Sequence, residues 1–299
     1  MRPILLSAIA CAALSAATPQ PFFWGEHGHR IVGELAAELL PADMPEFFRN
    51  ARARLTYLNP EPDRWRDGAE RRLDPALDQA FYADHFIDLE MIPPDRRNTI
   101  FRAPSRYAYI DSLRTLKLDA AKVGFSPFAM LELTQRLRSD FRRWRAERDS
   151  VTRSWIEQRI IDDAGILGHF VADASNPAHT TMHYDRWVGP NPFGYTTEPG
   201  FHARFETEFV QAHVQVDDVR PLTHAAPKVL SNVRAAIGAY LQQSNDEVEH
   251  LYQLDKRRRF DARNDSPEHK HFAAERLAAG AVMLRDIWWT AWVTSAGDQ

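Results

Sequence analysis

Apolar residues return at helical spacing along almost the whole 299-residue chain, and alternating apolar–polar runs are nearly missing. In "HRIVGELAAELL", Ile31, Leu35 and Leu39 fall on one face, and "MPEFFRNARARL" continues after Pro41 as a second helix. "SRYAYIDSLRTLKLDAAKVG" and "SPFAMLELTQRLRSDFRRWRAERDS" follow, the latter with Ser126 as N-cap and Pro127 as first helical residue. The remaining helical stretches are "TRSWIEQRIIDDAGILGHFVADA", "FHARFETEFVQAHV", "HAAPKVLSNVRAAIGAYLQQSNDEVEHLY" and "SPEHKHFAAERLAAGAVMLRDIWWTAW". Only "HFIDLE" tempts a strand reading. Prolines and glycines gather at 59–62, 93–104 and 189–200, which are the expected long loops. The pattern predicts one all-α domain over 24–299 with no internal repeat.

The first residues, "MRPILLSAIACAALSAATPQPFFWG", have the form of an export signal: Arg2, an apolar core, and a small-residue cleavage site near residue 17, with processing up to residue 23 as the other option. The expectation is a periplasmic or secreted protein. The one cysteine, Cys11, lies inside this segment; "SAIAC" matches a lipobox poorly, so no lipid anchor is expected there. The processed chain would then have no disulfide, leaving a large core or bound metal to hold it together. A formal net charge of −4 gives no overall basic surface for nucleic acid. The arginines of "RLRSDFRRWRAERD" read as a solvated helix face.

Chemistry-bearing residues are concentrated in "GHFVADASNPAHTTMHY", with His169, Asp173, His179 and His183 on both sides of Pro177. His169 and Asp173 share a helix face at i, i+4, as do His202 and Glu206 in "HARFE". Upstream, "WGEHGHR" offers His27 and His29, "PDRWR" offers Asp63, and "HFID" offers His85 and Asp88. Imidazole with carboxylate and no thiolate suits Zn²⁺ first, then Mn²⁺ or Fe. Taken alone, each pair is more often an ordinary helix-surface contact. His213, His224 and His250 are assigned nothing, "EHKH" at 268–271 reads as a first helical turn, and His183 is either a supporting donor or a bystander.

In chain order, "WGEHGH", "PDRWR", "HFID", "GHFVADASNPAH" and "HARFE" together resemble the exported trinuclear-zinc phosphodiesterases. That family comprises the single-strand-specific nucleases of fungi and plants and the bacterial zinc-dependent phospholipases C. The resemblance implies a mostly helical fold holding three zinc ions. Asp63, His85 and His169 would hold one, His179, His202 and Glu206 a second, and Trp24 with His29 the third. Asp173 would bridge the second and third ions. It implies hydrolysis of a phosphodiester by zinc-activated hydroxide, since zinc lowers the pKa of water from about 15.7 to roughly 7. Arg66 matches the arginine that meets transition-state charge in the nuclease branch, and Phe86 and Asp88 match its base-binding pair.

The expected substrate is single-stranded nucleic acid or a nucleotide, with phospholipid headgroups as the alternative. Arg66 and "HFID" favour the first, and Glu206, typical of the lipase branch, favours the second. A helical binding protein merely cross-linked by zinc is the further alternative. No protein partner is expected, and the chain is read as a monomer. "PQPFF" ahead of Trp24 departs from the family, whose mature chains commonly begin at the tryptophan. The aromatic residues Tyr184, Trp187, Phe193 and Tyr195 are read mainly as packing for their loop, with a groove lining as the other option.

Overall fold

The computed structural model describes residues 25–66 and 68–297; the expected signal segment, Cys11 and Trp24 lie outside them. Among the described residues every regular element is helical and none is a strand. No described helix is long and apolar enough to cross a membrane.

Long helices Ser126–Ala146 and Ser150–Asp173 form an antiparallel pair. Asp149 starts the second by accepting the Thr152 amide through Oδ2 (2.7 Å), a cap worth about 1 kcal/mol. We call Ser150–Asp173 the central helix. The last described helix, Pro267–Thr294, and the first, Gly25–Glu38, pack against it. Trp288 is wholly buried between these layers, donating Nε1 to the Ala164 carbonyl (3.2 Å) and meeting the Phe48 ring at 5.4 Å. An apolar face with one satisfied polar tip is what lets a tryptophan occupy a helix junction.

Close approach of the 52–58 segment to the central helix depends on glycine. A Cβ on Gly165 would lie 2.4 Å from Leu58 Cβ, and one on Gly168 would lie 2.3 Å from Asn59 Nδ2. The end of helix Arg52–Leu58 thus nests directly on the central helix backbone. Asn59, at the end of that nest, is completely buried.

Several local expectations change. Residues 59–62 and 93–104, read as loops, contain helices Glu61–Arg64 and Pro94–Phe101, each entered through a proline that cannot donate but suits the first turn. Ser126 is not the N-cap: its amide is taken by the Phe86 carbonyl (3.2 Å), and Phe125 occupies the cap position. The stretch "HAAPKVLSN" is not helical. It runs along the last helix, its amides at Lys228 and Leu230 held by Asp286 Oδ1 and Thr290 Oγ1, and the helix starts only at Val233 behind Asn232. "HFIDLE" is two short 3₁₀ turns joined by extended residues.

Gly165→Ala tests the close nest. Helix propensity alone favours alanine by about 1 kcal/mol, whereas the 2.4 Å clash predicts a net loss of about 1–3 kcal/mol. Urea unfolding should show a lower midpoint; a raised midpoint would contradict the packing described.

Candidate metal centre

His169 and Asp173 occupy the last turn of the central helix, one turn apart and fully buried. The helix stops there because Pro177 cannot continue it, and Asn176 turns the chain by accepting the Ala178 amide (3.0 Å). That turn carries His179 back to the same end. The "HFID" segment runs alongside: Ile87 and Leu89 donate to the His179 and Thr180 carbonyls (2.9 and 3.2 Å), and His179 Nδ1 donates to the His85 carbonyl (2.9 Å). His29 arrives from the first helix, Asp63 from Glu61–Arg64, and His202 and Glu206 from the segment at 201–209.

Donor atoms from these six places converge into three adjoining groups: His29, His169 and Asp173; Asp63, His85 and His169; His179, His202 and Glu206. Within each group the atoms lie within 4.8 Å of one another. The two Asp173 oxygens face different ways. Oδ1 lies 3.4 Å from His29 Nε2 and 3.8 Å from His179 Nε2, and Oδ2 lies 3.0 Å from His85 Nδ1 and 3.2 Å from His169 Nε2. His169 Nε2 reaches Asp63 Oδ1 at 3.6 Å, and Glu206 Oε2 lies 2.9 Å from His202 Nε2. His169 therefore belongs to two groups, where the sequence reading gave it one.

Every expected ligand within the described residues is in this cluster, and Trp24 lies outside them. Gly25, its chain neighbour, sits against the backbone of Glu206 and Thr207. His27 points elsewhere, its Nε2 on the Val214 carbonyl (2.8 Å). His183 organises the aromatic loop: its ring stacks on Trp187 at 4.0 Å and its Nδ1 accepts the Val188 amide. Residues 268–271 open the last helix as read from the sequence, and His269 is buried there on main-chain carbonyls. Trp187 and Tyr195 pack on Tyr252, while Tyr184 faces the cleft beside the cluster.

Electrostatics test whether the cluster suits cations. Burial pushes Glu206 up to about 8, and pushes Asp63 well above the carboxylate range, with Asp173 and Glu206 adding to the effect. Burial also drives His85 down to about 3 and His202 to about 4. Asp173 goes the other way: burial opposes its ionisation, but the neighbouring His169 and His179 hold its carboxyl well below the usual range. His29 Nε2, Asp173 Oδ1, Asp63 Oδ1 and Glu206 Oε1 are buried without a hydrogen-bond partner. Neutral imidazoles with inward lone pairs, beside acids that resist ionising together, are what divalent cations satisfy. The donor set fits the expected metal.

A cleft of about 770 Å³ opens onto His85, His179 and His202. Its wall includes Arg66, Tyr82, Phe86, Asp88 and Tyr184, so the residues proposed from sequence for phosphate and ligand contact all border it. The Arg66 guanidinium lies 4.9 Å from the Tyr82 ring centre. Burial, with Glu90 nearby, raises Asp88 to about 7. Residues missed from sequence are Asn59, Asn176 (Nδ2 to Glu206 Oε2, 3.1 Å) and Tyr82. Asparagine before proline is a common turn signal, so nothing in the string marks Asn59 or Asn176 as special.

The features define a class first: an all-helical protein with three adjoining sets of histidine and carboxylate donors beside an open cleft. Solved structures similar to it are then an alpha toxin from Clostridium absonum (13% identity, 92% of this chain and 66% of that chain, TM-score 0.48) and a Clostridium perfringens alpha-toxin isolated from avian strain SWCP (13%, 91%, 65%, 0.45). The chain thus spans about two thirds of the length of those toxin chains. No family model and no curated protein matches it. Likeness this distant carries no functional argument, and the case rests on the site itself.

Linkage gives a test. Glu206, raised from 4.5 to about 8, favours the metal-free fold below pH 4.5 and loses that contribution as pH climbs through 8. His85 and His202, depressed from 6.5, contribute above pH 6.5 and lose it as pH falls toward 4 and 3. Between pH 6 and 7.5 zinc therefore meets neutral His85 and His202 but a protonated Glu206, with Asp63 also held toward its protonated form. Calorimetry in buffers of different ionisation enthalpy should show release of on the order of one or two protons per protein; zinc binding without proton release would contradict these protonation states.

Proposed function

We propose that this chain is a metal-dependent phosphoester hydrolase acting on phospholipid headgroup esters in the manner of a phospholipase C. The carrying observation is the cleft: it meets the metal donors at one end and is walled by Tyr82, Phe86, Met91, Met182 and Tyr184. Trp65 and Phe81, chain neighbours of the lining residues Arg66 and Tyr82, are exposed with rings 5.7 Å apart, and Leu73, on the helix between them in the chain, is 79% exposed. An exposed aromatic and aliphatic rim suits an interface with lipid.

Divalent metal held by the donors would supply Lewis acidity, acidifying water and neutralising phosphate oxygens. The chain's own residues do the rest. Arg66, three residues past Asp63 and bordering the same cleft, offers a forked donor for two phosphate oxygens. The rings of Tyr82, Phe86 and Tyr184, with the carboxylates of Asp88 and Asp119, form a wall suited to a cationic headgroup. The helical layers behind His169 and Asp173 keep the donors dry and fixed.

A second reading, a nucleotide or single-stranded nucleic acid as substrate, is favoured by Phe86 and Asp88 bordering the cleft beside Arg66, where a ring and an acceptor could take one base. A polynucleotide track needs a run of cations. Here Arg66 and Lys122 are set against Asp88, Asp119 and Asp185, a charge balance that supports the lipid reading over a polynucleotide. The binding-protein alternative requires closed metal sites, and ligands bordering an open cleft argue against it.

Zinc-loaded protein should release phosphorylated headgroup from phosphatidylcholine vesicles, and a chelator should abolish the release. Cleavage of single-stranded DNA or RNA but not lipid would move the assignment to the nucleotide reading; loss of neither bond in fully metallated protein would sink the hydrolase. Asp173→Asn should lose metal together with more than about 100-fold of the activity, because its two oxygens serve different donor groups. A fully metallated, active Asp173→Asn protein would contradict that role.

A further inference from the structure

Asn59 is completely buried at the end of the 52–58 helix, and two of the candidate ligand imidazoles rest on it. His169 Nδ1 lies 3.0 Å from its main-chain carbonyl, and His29 Nδ1 lies 3.1 Å from its side-chain Oδ1. A carbonyl oxygen can only accept, so His169 must carry its proton on Nδ1, leaving the Nε2 lone pair for the cluster. Oδ1 imposes the same tautomer on His29. The two rings are stacked, 4.1 Å between centres and 17° apart in plane, so the orientation of one constrains the other. Asn59 Nδ2 is buried with no hydrogen-bond partner. The oxygen is thus the amide atom in use here, while the nitrogen is an unpaired buried donor that costs roughly 1–3 kcal/mol.

We propose that Asn59 is the positioning residue shared by His29 and His169, using one side-chain and one main-chain oxygen to aim both Nε2 atoms at adjoining metal positions. The two oxygens make separable predictions. Removing the side chain takes the acceptor from His29 and leaves the carbonyl that holds His169. The group containing His29 should weaken, while the Asp63–His85–His169 group keeps its support. Gly33 and Gly168, whose added Cβ atoms would lie 3.0 and 2.3 Å from Nδ2, are the space that lets one residue reach both rings. The inference rests on the metal-binding reading of the donors and is independent of the substrate.

Zinc retained against a graded chelator is the readout, and it does not involve activity. Asn59→Ala should lose one ion at about 10–100-fold lower chelator concentration than the parent, the remainder being held as before. Asn59→Asp keeps an acceptor at the same place and exchanges the unpaired donor for a second acceptor and a negative charge, which strengthens the contact to His29 Nδ1–H, so it should hold that ion at least as well as the parent. Asn59→Leu fills the space without an acceptor and should lose the ion as Asn59→Ala does, whereas a purely packing role would let it keep the ion. If Asn59→Ala fails to fold, Asn59→Asp and the zinc-loaded parent still decide. Nitrogen-15 spectra of the parent should show Nδ1–H tautomers for both His29 and His169. An Nε2–H tautomer on either ring, parental zinc retention in Asn59→Ala, or loss of the ion from folded Asn59→Asp would each overturn the proposal. Protein that bound no zinc at all would overturn the reading of the donors along with it, a result distinguishable from the other three.

Discussion

Charge taken out of water governs this molecule. Asp63, Asp173 and Glu206 meet His29, His85, His169, His179 and His202 in one cluster, where burial makes Asp63 and Glu206 resist ionising and His85 and His202 resist protonation. Packing of the helices forces the assembly together, since no pair among these groups would bury itself for its own stability. The surroundings use the imidazoles' outer nitrogens: His29, His169 and His179 each give Nδ1 to an oxygen of a packed residue. What faces inward is left for a cation.

The architecture divides labour between two kinds of backbone. Long helices supply His29, His169 and Asp173, so those donors share the rigidity of the core. The cleft wall comes instead from short helices and turns between residues 66 and 91, at 119–122, and between 178 and 203. Such a wall can be re-cut for a different ligand without disturbing the donors, and this is why a shared site chemistry is compatible with lipid and nucleotide substrates alike. It also explains why the aromatic loop behaves as two parts. Trp187 and Tyr195 anchor it on Tyr252, leaving Tyr184 to face the opening.

Helical periodicity made the long elements readable, and the donors were readable only as a set, from five short motifs that occur together in one chain, since each histidine–acid pair alone reads as a helix-surface contact. Short elements were not. The helices at 61–64 and 94–101 look like loops because proline enters them, and proline punctuates both kinds of segment. The 224–232 stretch carries a helical pattern, yet side chains of the last helix capture its amides and keep it extended. Asn59 was invisible for another reason. Its role comes from two histidines more than a hundred residues apart and from glycines that make room for it, relations that exist only after folding.

One irregularity links stability to chemistry. The backbone from Arg204 to Phe209 is wound as a π-helix, with Glu206 inside it and His202 on the α-helical turn before it. Such a bulge behaves as an α-helix with one residue too many, and it is less stable than the regular winding. Deleting a single residue from this stretch would restore ordinary winding and leave the flanking turns in register, but it would move Glu206, inside the bulge, relative to His202 on the turn before it. The shortened chain would own the better helix and aim its glutamate at the wrong neighbour.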